Sequence, residues 1–323
     1  MRLVRLLTVT IAGVLFLAGS AGATVWRVPG RFATIQAAVD NSLVVAGDTI
    51  QVAPGKHAGA TVTKAITIRG EGRATIVDGP VVGPLGKAGF LFEGSGAGSG
   101  ATITDLYFRG VAFPVFSRGA NEVSVTQNTM WNPIQGVTNW AYGSWGNAWE
   151  ILGNTILGLT TSCGGGIGIL VGDFAGGTVS DNLIAQNRIR GLVHVPQTDC
   201  GGYNAPGILL LADHRYPGDL GATIQGTRVS SNRVRLSDIP PRRVTVSAIE
   251  MSDTRNNPAL LDIRDNDVIY NDLRDQDVPI SLTPDELATV NRIEHNLTGP
   301  GGGWPDRALS FARAGRAGAA PVR

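Results

Sequence analysis

Polar and apolar residues alternate along most of this chain in short runs, each broken by glycine or a polar turn. A period of two puts apolar side chains on one face of a strand and polar ones on the other. One run recurs: apolar, any, apolar, two polar residues, Asn, any, apolar. It ends at Met130, Ile156, Ile184, Val234, Val268 and Leu297, with Asn128, Asn154, Asn182, Asn232, Asn266 and Asn296 in the fixed place. The gaps between these Asn residues are 26, 28, 50, 34 and 30 residues. A strand-like repeat of that length, unevenly spaced, predicts an all-β solenoid of stacked β-coils. The Asn would line a tight turn in each coil, because Asn tolerates left-handed backbone and stacked amides can bond along the stack. Their role is structural. Residues beyond a minimal coil of about 20 must leave the stack as loops, where binding surfaces are usually built.

One stretch breaks the period of two. In FATIQAAVDNSL, residues 32–43, Phe32, Ile35, Ala38 and Val39 share one face at helical spacing. An N-terminal amphipathic helix there would cover the open apolar end of the stack, as capping repeats do. Alternating strands follow in TIQVAPG, AITIRGEG and ATIVDG. From TIQAAVDNSL to ATIVDG the chain resembles the opening of right-handed parallel β-helix proteins of the pectin-lyase-like superfold. Many secreted polysaccharide lyases and the periplasmic NosD-like proteins begin this way. The resemblance covers residues 33 to about 298. It implies a right-handed parallel β-helix and, for function, an exported protein that engages a polysaccharide.

Composition agrees with export and with one domain. Arg2 and Arg5 precede the apolar stretch Leu6–Ala18, and Ala21-Gly22-Ala23 reads as a cleavage site. Residues 1–23 are therefore expected to be a signal segment, 24–298 the β-helix domain, and 299–323 a cap fragment with a flexible tail. Secretion or a periplasmic home follows, with no later segment for stable membrane insertion. Glycine contributes 44 residues and charged residues only 16%, which suits many turns and a largely neutral surface. A net charge of +1 argues against nucleic acid as the main partner, and a monomer is expected. Cys163 and Cys200 sit in Gly-rich turns before the similar runs GIGILV and GILLLA. In an oxidising compartment that placement predicts a disulfide between successive coils.

Two groups of residues could carry chemistry. ILVGD, LLLAD and IEMSD end at Asp173, Asp213 and Asp253, at an even spacing of 40. Stacked, their carboxylates would line one edge of the solenoid and call for a cation, a neighbouring Arg or a raised pKa. Calcium is the ion such a ladder suits. The plainer reading is an Asx-turn at each strand end. The second group is Trp131, Trp140, Tyr142, Trp145 and Trp149, whose flat faces could stack on sugar rings or could close into a lid. If the protein is an enzyme, β-elimination is the expected chemistry. The reaction needs a cation or an Arg to neutralise a uronate carboxylate; the three Asp would hold the cation, His214 is the better base by its ordinary pKa, and Arg215 and Arg255 could act as base only in a strongly perturbed environment. Hydrolysis by two of the Asp is the other enzymatic reading. The paired-Asp and Gly-His-Gly segments of polygalacturonase-like hydrolases do not occur. The Arg-Pro-Arg arrangement of pectate lyases has only PPRR, Pro240–Arg243, near it. A non-catalytic envelope-associated or NosD-like binding module is the rival from another class.

Overall fold

The computed structural model describes residues 22–79, 86–141, 143, 145–160, 166–174, 176–194, 204–215, 221–238 and 245–300. Cys163, Cys200 and Tyr142 lie outside these ranges, as do residues 1–21 and 301–323, so the expected disulfide, signal segment and tail fall outside the described residues. Among the described residues the protein is almost wholly β. Its strands form three sheets of 15, 8 and 3 strands. Each strand pairs in parallel with its equivalent one repeat further on; Thr129–Trp131, for example, lies beside Thr155–Leu157. Stacked parallel sheets of this kind are compatible with a β-helix.

Alternation explains the core. Val137, Ile169, Ile208 and Ile249 pair in one register row of the eight-stranded sheet and are fully buried. Met130, Ile156, Ile189 and Val234 form a matching buried row in the large sheet. Each such side chain contributes roughly 1.5–3 kcal/mol by leaving water. Between these aliphatic rows the backbones approach closely. A Cβ on Gly168 would lie 2.3 Å from the carbonyl oxygen of Gly207, so only glycine fits there. No described helix is long and apolar enough to cross a membrane.

The helix expected over 32–43 is shorter, spanning Ile35–Asp40. Thr34 ends it at the N-terminus by accepting from the Ala37 amide at 3.0 Å. Asn41 ends it by returning to extended backbone. Ile35, Ala38 and Val39 are buried, as the spacing predicted.

The single Asn ladder expected from the repeat is two columns. Asn128, Asn154, Asn187, Asn232, Asn271 and Asn296 make the first. Each Nδ2 donates to the Oδ1 of the next at 2.9–3.1 Å. Asn182 and Asn266 belong to a second corner, where they accept from the amides of Trp149 and Thr227. Asn291 continues that column by accepting from Asn266 Nδ2 at 2.9 Å. The Asn residues are not themselves the left-handed ones. The residue before each in the first column is: Gln127, Gly153, Gln186, Ser231, Tyr270 and His295 have φ of 55–64°. That turn aims the following amide inward, where it satisfies backbone groups that would otherwise be buried unpaired.

Candidate functional site

Three strands of the eight-stranded sheet, Ile167–Asp173, Ala205–Ala212 and Val246–Asp253, end at one corner. Their last register row reads Ala141, Asp173, Ala212, Asp253. Asp213 is therefore one residue out of step. The register moves by 39 residues (173 to 212) and then by 41 (212 to 253), which hides behind the even spacing of 40. Asp173, Asp213 and Asp253 are all buried. The row lies two residues after Val171, Leu210 and Met251, which face the core, so the period of two turns Asp173 and Asp253 inward as well. The outward carboxylate ladder expected from the sequence is not formed. Asn139, two residues before Ala141 on the adjoining strand, pairs with Val171, and its Nδ2 donates to Gly146 O at 2.8 Å.

Asp213 instead anchors Arg215. Its carboxylate accepts from Arg215 Nε at 2.8 Å and Nη2 at 2.7 Å, and from the Arg215 amide at 3.1 Å. Burial pushes the Asp213 carboxyl up, but these hydrogen bonds and that from Thr254 outweigh it and hold it below its ordinary range. Arg215 itself is exposed, at 56% of its side chain.

His214 turns the other way. Its amide donates to Thr254 Oγ1 at 2.7 Å, and its side chain is only 4% exposed. Nδ1 lies 3.1 Å from Arg255 Nη2. A guanidinium can only donate, so Nδ1 accepts and the ring proton sits on Nε2. That nitrogen is 3.2 Å from Asp262 Oδ2 and 3.5 Å from Asp253 Oδ1. Arg255 Nη1 also reaches Asp262 Oδ2, at 2.9 Å. Asp253 ties both ends of the intervening bend, accepting from the Arg255 amide and the Asp262 amide at 3.0 Å each.

His214, Asp253 and Asp262 offer ligand atoms within 4.8 Å of one another, a set that could hold a divalent cation. The surroundings do not suit one. Arg255 already supplies positive charge there, and it faces His214 Nδ1 with a donor, where a metal-bound His needs an acceptor. The cluster, with Arg264 Nη1 a further 3.8 Å from Asp262 Oδ1, is a network of ion pairs and hydrogen bonds that fastens the 254–262 bend to the corner. It joins His214, Arg255 and Asp253 as the sequence suggested, but through Asp262 and Thr254, which sequence reasoning missed. Asp262 opens the repeat DIRDNDV, and nothing in its spacing points back to His214.

The aromatic residues do not share a face. Trp149 is fully buried, donates Nε1–H to Ala120 O at 2.9 Å and meets Phe92 edge-on. Trp140 stacks on Phe174, with centroids 4.9 Å apart. The Trp145 ring lies against Gly96. Trp131, 45% exposed, stands on the large sheet. Comparison with family models, curated proteins and solved structures finds no match to this chain.

Proposed function

We propose that this chain is an exported, right-handed parallel β-helix that binds an acidic polysaccharide without cleaving it. The in-register parallel pairing, the two Asn columns and the buried face of Ile35–Asp40 support the fold reading, with that short helix closing the N-terminal end. Arg215, clamped by Asp213, follows the end of one strand and the Trp140–Phe174 stack stands at the ends of neighbouring strands of the same sheet; a guanidinium and an aromatic stack there suit a carboxylated sugar chain.

The observation that carries the choice of binding over cleavage is the enclosure of His214. A base for β-elimination must reach the proton it removes. The His214 side chain is buried, its Nδ1 is engaged by Arg255, and its Nε2 lies 3.5 and 3.2 Å from the Asp253 and Asp262 carboxylates. Incubation with polygalacturonate, with and without calcium, tests this. The expected result is retention of the protein on immobilised polymer, weakened by Arg215→Ala, with no rise in absorbance from unsaturated products. Steady product formation that His214→Ala abolishes would overturn it.

A further inference from the structure

The outer face of the large sheet carries a second feature, away from the corner just described. The register row Arg109, Trp131, Leu157, Arg190, Arg235 runs across five successive strands. Two residues earlier on the same strands, and so on the same face, lies the row Tyr107, Thr129, Thr155, Arg188, Arg233. Five arginines, one exposed tryptophan and a short run of hydroxyls thus occupy one nearly flat strip. Neighbouring rungs stand ~4.8 Å apart.

The charges on the strip are unevenly compensated. Asp272 binds Arg235 Nη2 at 2.6 Å and lies 3.5 Å from Arg233 Nε, and Asp275 lies 3.4 Å from Arg235 Nε. Arg109, Arg188 and Arg190 are exposed and have no acidic partner among the described residues. Arg188 and Arg190 share one strand, and Arg109 lies three rungs away across Trp131 and Leu157, so the face suits an extended ligand that carries negative charges at several points along its length. Leu192, 54% exposed, adds apolar surface beside them.

Trp131 is oriented for contact. With the Asn132 amide set so that its nitrogen donates to Leu157 O at 3.1 Å, its oxygen accepts from Trp131 Nε1 at 3.2 Å. An exposed ring held in place loses little side-chain freedom when a flat partner stacks on it.

We infer that this strip is a docking surface for an extended acidic polysaccharide, distinct from the Arg215 corner on the eight-stranded sheet. Paired rows of guanidinium and hydroxyl groups suit carboxylates or sulfates carried on a chain of hydroxylated rings, and Trp131 suits the ring faces. A nucleic acid would meet the same guanidiniums; the hydroxyls of Tyr107, Thr129 and Thr155 beside them favour a chain of hydroxylated rings, and a DNA oligomer is the competing outcome of the test.

Binding of polygalacturonate and of a single-stranded DNA oligomer to the full chain, measured by isothermal titration at two salt concentrations with tryptophan fluorescence as a second readout, tests the inference. Trp131→Ala and the double variant Arg188→Ala/Arg190→Ala should each weaken polygalacturonate binding by about tenfold, and Trp131→Ala should abolish the fluorescence change. These side chains are exposed, so melting temperatures should match the parent and confirm the fold. Unchanged affinity in both variants, with loss only in Arg215→Ala, would overturn the strip and leave the corner reading standing. Loss in the strip variants with none in Arg215→Ala would support the strip and remove the corner. Equal affinity for the DNA oligomer, insensitive to Trp131→Ala, would also overturn it.

Discussion

Asn187 Nδ2 donates to Asn232 Oδ1 at 3.0 Å across 45 residues of chain, and the same oxygen accepts from the Asn187 amide. One buried carboxamide thus serves as donor to one repeat and acceptor for another. Asn187 Oδ1 in turn accepts from the Asn154 amide and Nδ2, and its Nδ2 also donates to Ile151 O.

Asn187→Ala should therefore cost far more than one hydrogen bond. It removes two donated bonds and leaves the buried Asn154 amide without its acceptor, each orphaned group costing about 1–3 kcal/mol. A loss of roughly 3 kcal/mol or more in denaturant unfolding is expected. A loss under about 1 kcal/mol would show that the column is not stabilising.

The aromatic residues should separate cleanly by position. Trp149→Ala empties a core site and breaks the bond to Ala120, for an expected loss of about 3–5 kcal/mol. Trp131→Ala, on the exposed strip, should change stability by less than about 0.5 kcal/mol. Thermal unfolding of the two variants side by side checks both values.

Much of the architecture is legible in the sequence because buried faces repeat with a period of two. The position of the Asn columns is less so. Asn182 and Asn187, Asn266 and Asn271, and Asn291 and Asn296 are pairs five residues apart. A three-residue strand such as Leu183–Ala185 separates two corners, and each corner needs a buried amide. A phrase that admits one Asn per repeat merges them. The Asp spacing misled for a related reason: loops between strands vary in length, so an even count of 40 residues is not an even register. The role of Asp262 needs the fold, since its partners lie at both ends of a bend and on another strand. Trp131 follows the inward Met130 on one strand and so faces out by the period of two, whereas Trp145 and Trp149 lie outside the strands and carry no periodic signature.

Titration should reveal two opposite contributions. Burial raises the Glu250 carboxyl above its ordinary value of 4.5, only partly offset by hydrogen bonds from Asn204 and Ser247. A raised acid stabilises the fold below pH 4.5, and that contribution is lost as pH climbs through the folded value. Glu250→Gln should accordingly be more stable than the parent at neutral pH and indistinguishable from it in acid. Asp48 and Asp213 are shifted down from 3.8, so their contribution is present above that pH and lost as pH falls through their folded values. Asp213→Asn should flatten the acid limb of the stability profile.

The network at the corner should behave as coupled charges. Arg255→Ala strips the cation from Asp262 and the donor from His214, and should cost about 1–3 kcal/mol. Adding Asp262→Asn removes the carboxylate left behind and should recover part of the loss. A double-mutant cycle with no coupling would mean that the groups stabilise the bend independently.

On the reading proposed above, this protein binds an acidic polysaccharide and does not cleave it. Isothermal titration of the full chain with polygalacturonate, at low and high salt and against neutral dextran, addresses it most directly. Saturable heat with polygalacturonate is expected, weakening as salt screens the arginines, with no heat from dextran and no unsaturated product afterwards. No binding, or a sustained heat of turnover accompanied by unsaturated product, would contradict it.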